Sequence, residues 1–164
     1  MAKNIQLKLI SDFNGVIFDM GAGALRADLV ELYQKIADHH EIFLFTEGTN
    51  YQLANVYETV TELFDKVYES TDIGYLKNDP EAYRWIASDL NVQTGDLVFV
   101  DDSIERVEAA KMAGAQVFHV TSIDALKEFL EHLFIENSDE KSVETSPTVE
   151  QNSDLVTSAE EIFV

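Results

Sequence analysis

Short apolar runs and helical patterns take turns along this chain, and that alternation restricts the fold more than any other feature of the sequence. Strand-like runs occupy Gln6 to Asp12, Ile42 to Thr46, Lys66 to Glu69, Leu97 to Asp101 and Gln116 to Val120. Between them, Leu29, Leu32, Tyr33 and Ile36 recur at helical spacing, as do Leu53, Val56, Tyr57, Val60 and Phe64. Asp79-Pro80-Glu81 is an N-cap followed by proline at the first helical position, and it opens a helix whose buried face is expected to carry Trp85 and Ile86. Asp102-Ser103-Ile104-Glu105 has capping-box spacing ahead of a helix that stops at Gly114, and Leu126, Phe129, Leu130 and Leu133 mark a last helix. Strands that are apolar throughout, rather than at every second residue, are buried on both faces, so the pattern predicts an α/β three-layer sandwich with a parallel central sheet. Right-handed crossovers then bring the carboxyl end of every strand to one edge.

That edge collects the residues with chemistry. The run Leu7-Lys8-Leu9-Ile10-Ser11 ends on Asp12 and breaks into a turn at Asn14-Gly15. Thr46 ends the second run, Lys77 follows the third, and Asp101 and Asp102 end the fourth. Each has an ordinary structural explanation when taken singly: a strand-closing aspartate, a helix cap, a surface lysine. As a set they form a hard oxygen site suited to Mg²⁺, with a hydroxyl and an ammonium beside it to donate to phosphoryl oxygens. A remaining carboxylate can then act as a nucleophile, its repulsion from an incoming phosphate screened by cations.

Charge and composition narrow the partners. The 164 residues carry a formal net charge of -20, which argues against nucleic acid and anionic membranes, because binding to phosphate backbones rests on Lys and Arg. The absence of cysteine excludes disulfides, zinc-thiolate sites and thiol catalysis. His39, His40, His119 and His132 have no metal-ligand spacing. No apolar run reaches the roughly 20 residues of a membrane span and no signal-peptide pattern opens the chain, so a cytoplasmic protein is expected. From residue 135 to 164 the sequence turns rich in Ser, Thr, Glu and Asp without apolar periodicity. The expectation is a folded domain over 1–134 and a disordered acidic tail over 135–164, whose terminal Glu160-Glu161-Ile162-Phe163-Val164 reads first as a frayed end and otherwise as a docking motif for a protein partner.

Four segments in order, SDFNGVIFD, IFLFTEG, GYLKNDPEAYRWIASDLNV and VFVDDSIERVEAAKMAGA, resemble the four motifs of the haloacid dehalogenase superfamily of phosphohydrolases, over nearly all of residues 5 to 134. The resemblance implies a Rossmannoid core and phosphomonoester hydrolysis through an aspartyl-phosphate. It makes Asp12 the nucleophile and gives Thr46, Glu47, Gly48 and Lys77 to the phosphoryl group. It gives Asp12, Asn14 (through its backbone carbonyl), Asp101 and Asp102 to Mg²⁺, with Asp102 the main ligand of its loop. Four departures stand out. Asn14 replaces the aspartate that in the family protonates the leaving group and later activates water, and general acid-base catalysis is typically worth about 10² to 10⁴ in rate. Arg106 stands where Asp or Asn is usual and is expected to pair with Asp101 or a substrate phosphate; Glu47 follows Thr46, and Asn78 follows Lys77. The short spacings between motifs leave no room for a cap domain, which implies an open site and a phosphorylated substrate that is bulky or macromolecular, or closure by another subunit. The expectation is therefore a slow, capless, Mg²⁺-dependent phosphohydrolase. The alternative is a catalytically degenerate module of the same fold that binds metal, phosphate or a protein partner.

Overall fold

The computed structural model describes residues 6–137. In chain order the elements are β1 (Lys8–Ser11), β2 (Phe18–Asp19), β3 (Ala24–Leu25), α1 (Ala27–Ala37), β4 (Ile42–Thr46), α2 (Tyr57–Leu63) and β5 (Lys66–Glu69). There follow α3 (Ser70–Ile73), α4 (Pro80–Asp89), β6 (Leu97–Asp101), α5 (Ile104–Ala113), β7 (Gln116–His119) and α6 (Ile123–Leu130). The expected acidic tail lies outside the described residues except for 135–137, and Glu131–Glu136 form a π-helical turn.

Five strands make one sheet in the order β5-β4-β1-β6-β7, every pair parallel. The chain moves from β1 outward to β4 and β5, then returns across β1 to β6 and β7. The strand order thus reverses at β1, and the crevice above its carboxyl end is the place where an open α/β sheet receives ligands. Ile10, Phe43, Phe45, Leu97 and Phe99 are all buried and meet Tyr83, Ile86, Ala109 and Ala110 of α4 and α5. On the sheet's other face Leu29, Tyr33 and Ile36 of α1 are buried.

The predicted strands agree with the structure to within one or two residues. The helices differ in instructive ways. The periodic segment from Leu53 to Phe64 is not one helix: a 3₁₀ turn covers Asn50–Gln52, α2 begins only at Tyr57, and both Leu53 and Tyr57 are about half exposed. Trp85 is not a core residue either; it is 37% exposed and meets Tyr68 edge-on at 6.1 Å, while Ala82, Tyr83, Ile86 and Ala87 fill the interior. The capping box at Asp102 is not formed, because the N-cap of α5 is Ser103, and the Ser103 N–H donates to Asp101 Oδ1 at 2.8 Å. The proline at N1 of α4 and the left-handed Gly114 that ends α5 are as expected. The two-residue hairpin β2-β3 has no apolar periodicity to announce it; Asp19 Oδ1 stabilises its turn by accepting from the N–H groups of Gly21 and Ala22.

Candidate active site

Asp12 leaves β1 with its backbone still tied to the sheet, its N–H donating to Val100 O at 3.0 Å. The residue is 3% exposed. Lys77, fully buried, reaches it from the loop before α4: Nζ lies 2.6 Å from Asp12 Oδ1 and 2.8 Å from Asp101 Oδ2. One cation therefore sits between two buried carboxyl groups, and ionising both leaves a net negative charge in an interior where such a charge is costly. The stem of Lys77 passes the rings of Phe45 and Phe99, with Nζ 5.4 and 5.6 Å from their centroids. Tyr83 fixes the lysine's backbone: its hydroxyl donates to Lys77 O and lies 3.4 Å from Arg106 O.

The third carboxylate is Asp102, half-exposed at the mouth. Carboxylate oxygens of Asp12, Asp101 and Asp102 all lie within 4.8 Å of one another. Gly15 makes room for them, since it has φ +80° and a Cβ built there would collide with the Asp102 carboxylate. Burial pushes Asp12 up to about 7, and Asp101 and Asp102 add to that effect while Lys77 opposes it. Asp102 is also raised, first by desolvation and then by Asp101 beside it. Asp12 Oδ2 is buried without a hydrogen-bond partner, a strained condition for a carboxylate oxygen that a divalent cation would relieve. Three acidic side chains converging without His or Cys, two of them (Asp12 and Asp101) with a buried oxygen that has no hydrogen-bond partner, fit a hard divalent ion such as Mg²⁺.

A cleft of about 280 Å³ opens over this group, lined by Asp12, Asn14, Gly15, Met20, Thr46, Glu47, Gly48, Asp102 and Arg106. A larger hollow lies by Tyr51, Gln52, Tyr57, Thr61 and Val67, away from any of the converging carboxylates. Thr46 Oγ1 is 3.2 Å from Gly48 N and 3.1 Å from Gly48 O, so it closes a small loop at the cleft wall. Asn14 Oδ1 accepts from Asn50 Nδ2 at 3.0 Å. Glu47 faces Arg106, Oε2 to Nη2 at 2.7 Å, and its Oε1 is 3.4 Å from Lys77 N. Asp101 and Lys77 sit beneath the cleft rather than on its wall, where they set the position and charge of Asp12.

The sequence reading brought together Asp12, Thr46, Lys77, Asp101 and Asp102, and the structure places all five at the carboxyl edge of the sheet. It missed the Glu47–Arg106 pair that crosses the mouth. It also missed Tyr83, whose polar end holds the lysine loop. The Asn50 contact to Asn14 comes from a 3₁₀ turn that no pattern marks.

The haloacid dehalogenase-like hydrolase family profile matches residues 3–114, well over half of the chain. The chain belongs to that family. Among curated relatives, Phosphatase MT3486 of Mycobacterium tuberculosis is 42% identical over 59 residues, 36% of this chain and 27% of its own. The Sesquiterpene phosphatase astK of Aspergillus oryzae is 33% identical over 60 residues, 37% of this chain and 31% of its own. Drimenol cyclase drtB of Aspergillus calidoustus is 36% identical over 59 residues, 35% of this chain and 11% of its own. The matched segments thus span about a tenth to a third of those relatives. Among solved structures, an uncharacterised protein from Corynebacterium glutamicum superposes with a TM-score of 0.62 at 24% identity, over 77% of this chain and 93% of that one. A haloacid dehalogenase family enzyme from Bacteroides thetaiotaomicron, in complex with magnesium and inorganic phosphate, gives 0.61 at 14% identity, over 70% and 93%. At these identities the structural likeness speaks for the fold, which is the haloacid dehalogenase-like α/β fold.

Proposed function

We propose that this haloacid dehalogenase-like hydrolase is a Mg²⁺-dependent phosphohydrolase that works through a phosphorylated Asp12 and turns over slowly. The observation that carries the reading is the buried Asp12 carboxylate, held by Lys77 at 2.6 Å and within 4.8 Å of oxygens of Asp101 and Asp102, at the floor of an open cleft. Phosphatases among the relatives, and the magnesium and phosphate in the Bacteroides enzyme, point the same way.

Asp12 and Asp102, with the Asn14 backbone carbonyl, would hold the Mg²⁺, and Asp101 would support them from below. When bound, the ion supplies positive charge that lets a phosphate approach an acidic site and stabilises the charge spread over the transferring group. Asp12 forms a bond to phosphorus as the bond to the leaving oxygen breaks. Lys77 keeps the Asp12 carboxylate oriented and partly neutralised, and Thr46 offers a hydroxyl to the phosphoryl oxygens from the cleft wall. Water then attacks phosphorus and frees the carboxylate. Asn14 cannot take a proton from that water, so this second step is the slow one.

The test is hydrolysis of a generic phosphomonoester with Mg²⁺ by three proteins side by side. Asn14→Asp should exceed wild type by about 10² or more, and Asp12→Asn should be inert. An inert Asn14→Asp, folded and supplied with Mg²⁺, would count against an enzyme. The substitution at Asn14 also favours a second reading, a binding module whose phosphorylated or metal-bound state is the signal, with the open cleft or acidic tail engaging a protein. Metal binding or a stable phosphoryl group on Asp12 with no hydrolysis by wild type or Asn14→Asp would select that reading.

A further inference from the structure

Among the described residues the cleft has no group free to protonate a departing oxygen, and this narrows the substrate. Of its lining residues, Gly15, Met20, Thr46 and Gly48 carry no acid of useful strength, and Asn14 is an amide. Asp12 is the nucleophile and Asp102 a candidate ligand of the ion. Glu47 is taken up in its ion pair with Arg106 at 2.7 Å. An alkyl phosphate needs such a proton, because its alkoxide is a poor leaving group.

The same wall carries a cation instead. Arg106 lines the cleft, its side chain 29% exposed, with one guanidinium nitrogen on Glu47 and another 3.9 Å from Asp101 Oδ2. A guanidinium stabilises a phosphate-like anion through paired hydrogen bonds and never needs to give up a proton. Asn14, its Oδ1 committed to Asn50, has its Nδ2 as the remaining hydrogen-bonding end, a donor that steadies an anion without titrating.

Building on the phosphohydrolase reading, we infer that the substrate is a phosphoanhydride, a diphosphate whose leaving half departs as a phosphate anion stabilised by Arg106 and Asn14. The step balances without acid catalysis. An oxygen of Asp12 bonds to the terminal phosphorus, the bridging P–O bond breaks, and the leaving phosphate carries away the electron pair and stays unprotonated in the step.

The test is the single-turnover rate of phosphoryl appearance on the full chain, followed by intact mass with Mg²⁺ present. The donors are inorganic pyrophosphate, acetyl phosphate and glycerol phosphate. Wild type should be phosphorylated by pyrophosphate on the order of 10²-fold or more faster than by glycerol phosphate, and Asn14→Asp should close most of that gap by accelerating the alkyl ester. Arg106→Gln should slow pyrophosphate more than acetyl phosphate, whose leaving acetate carries no second phosphate for the guanidinium to hold. Equal rates from glycerol phosphate and pyrophosphate in wild type would overturn the inference and leave the phosphohydrolase reading intact. So would phosphorylation of Asn14→Asp alone. No phosphorylation of either protein by any donor would overturn the phosphohydrolase reading itself.

Discussion

Asp12 and Asp102 both hold their protons above the ordinary carboxylate range, so the site's behaviour depends on pH, most of all through Asp12. Folded Asp12 keeps its proton to about pH 7, whereas the unfolded chain releases it near 3.8. The folded state thus binds the extra proton between those values, and the stability from this group is full below about 4 and is lost as pH rises through 7. Without divalent ions, thermal unfolding should show this decline. Mg²⁺ bound as proposed would displace the same proton, so its apparent affinity should weaken by at least about tenfold for each pH unit below 7 and level off above it, as titration calorimetry can measure. Lys77→Met leaves the two buried carboxylates without their cation. It should cost about 3–5 kcal/mol at pH 8 in chemical denaturation, with part regained at lower pH as a proton takes the lysine's place.

Among the elements, α4 does more for the site than its sequence suggests. Tyr83 packs on Phe99 with ring centroids 4.8 Å apart and on Phe45 at 5.8 Å, and its hydroxyl bonds the Lys77 carbonyl. Tyr83→Phe retains the ring and strands that carbonyl, so it should cost about 1–3 kcal/mol and slow phosphorylation of Asp12 beyond what the lost stability explains. Denaturation and single-turnover kinetics on the same sample would separate the two effects. The sheet and the edge that gathers Asp12, Thr46 and Asp101 were legible because parallel strands are written as continuous apolar runs and their ends as breaks in those runs. Lys77 was legible only through its company in the motifs, since burial of a lysine depends on carboxylates that arrive from other strands. Trp85 and Tyr83 show the limit: both suit a helix face, and only the tertiary packing of α4 decides that the tyrosine turns inward. The Glu47–Arg106 pair joins residues 59 apart along the chain and leaves no local trace.

At the scale of the whole molecule, 31 acidic residues against 11 basic ones make for self-repulsion that any salt will relieve. A Mg²⁺ site of the kind proposed would add to this. At equal ionic strength MgCl₂ should raise Tm above the level NaCl reaches, and the surplus should vanish in Asp102→Asn, whose half-exposed side chain can be changed with little cost to the fold. The same field disfavours phosphorylated ligands, and among the described residues Lys77 and Arg106 gather at the cleft over Asp12, which makes it the place to look for one. The most direct measurement is the intact mass of the full chain after exposure to acetyl phosphate, with and without Mg²⁺, with Asp12→Asn beside it and the unmodified mass verifying that Asn14 has not deamidated. The account predicts a lasting gain of one phosphoryl group in wild type only with Mg²⁺, and none in Asp12→Asn. A chain that binds Mg²⁺ yet never gains that mass, or gains it equally in Asp12→Asn, would contradict it.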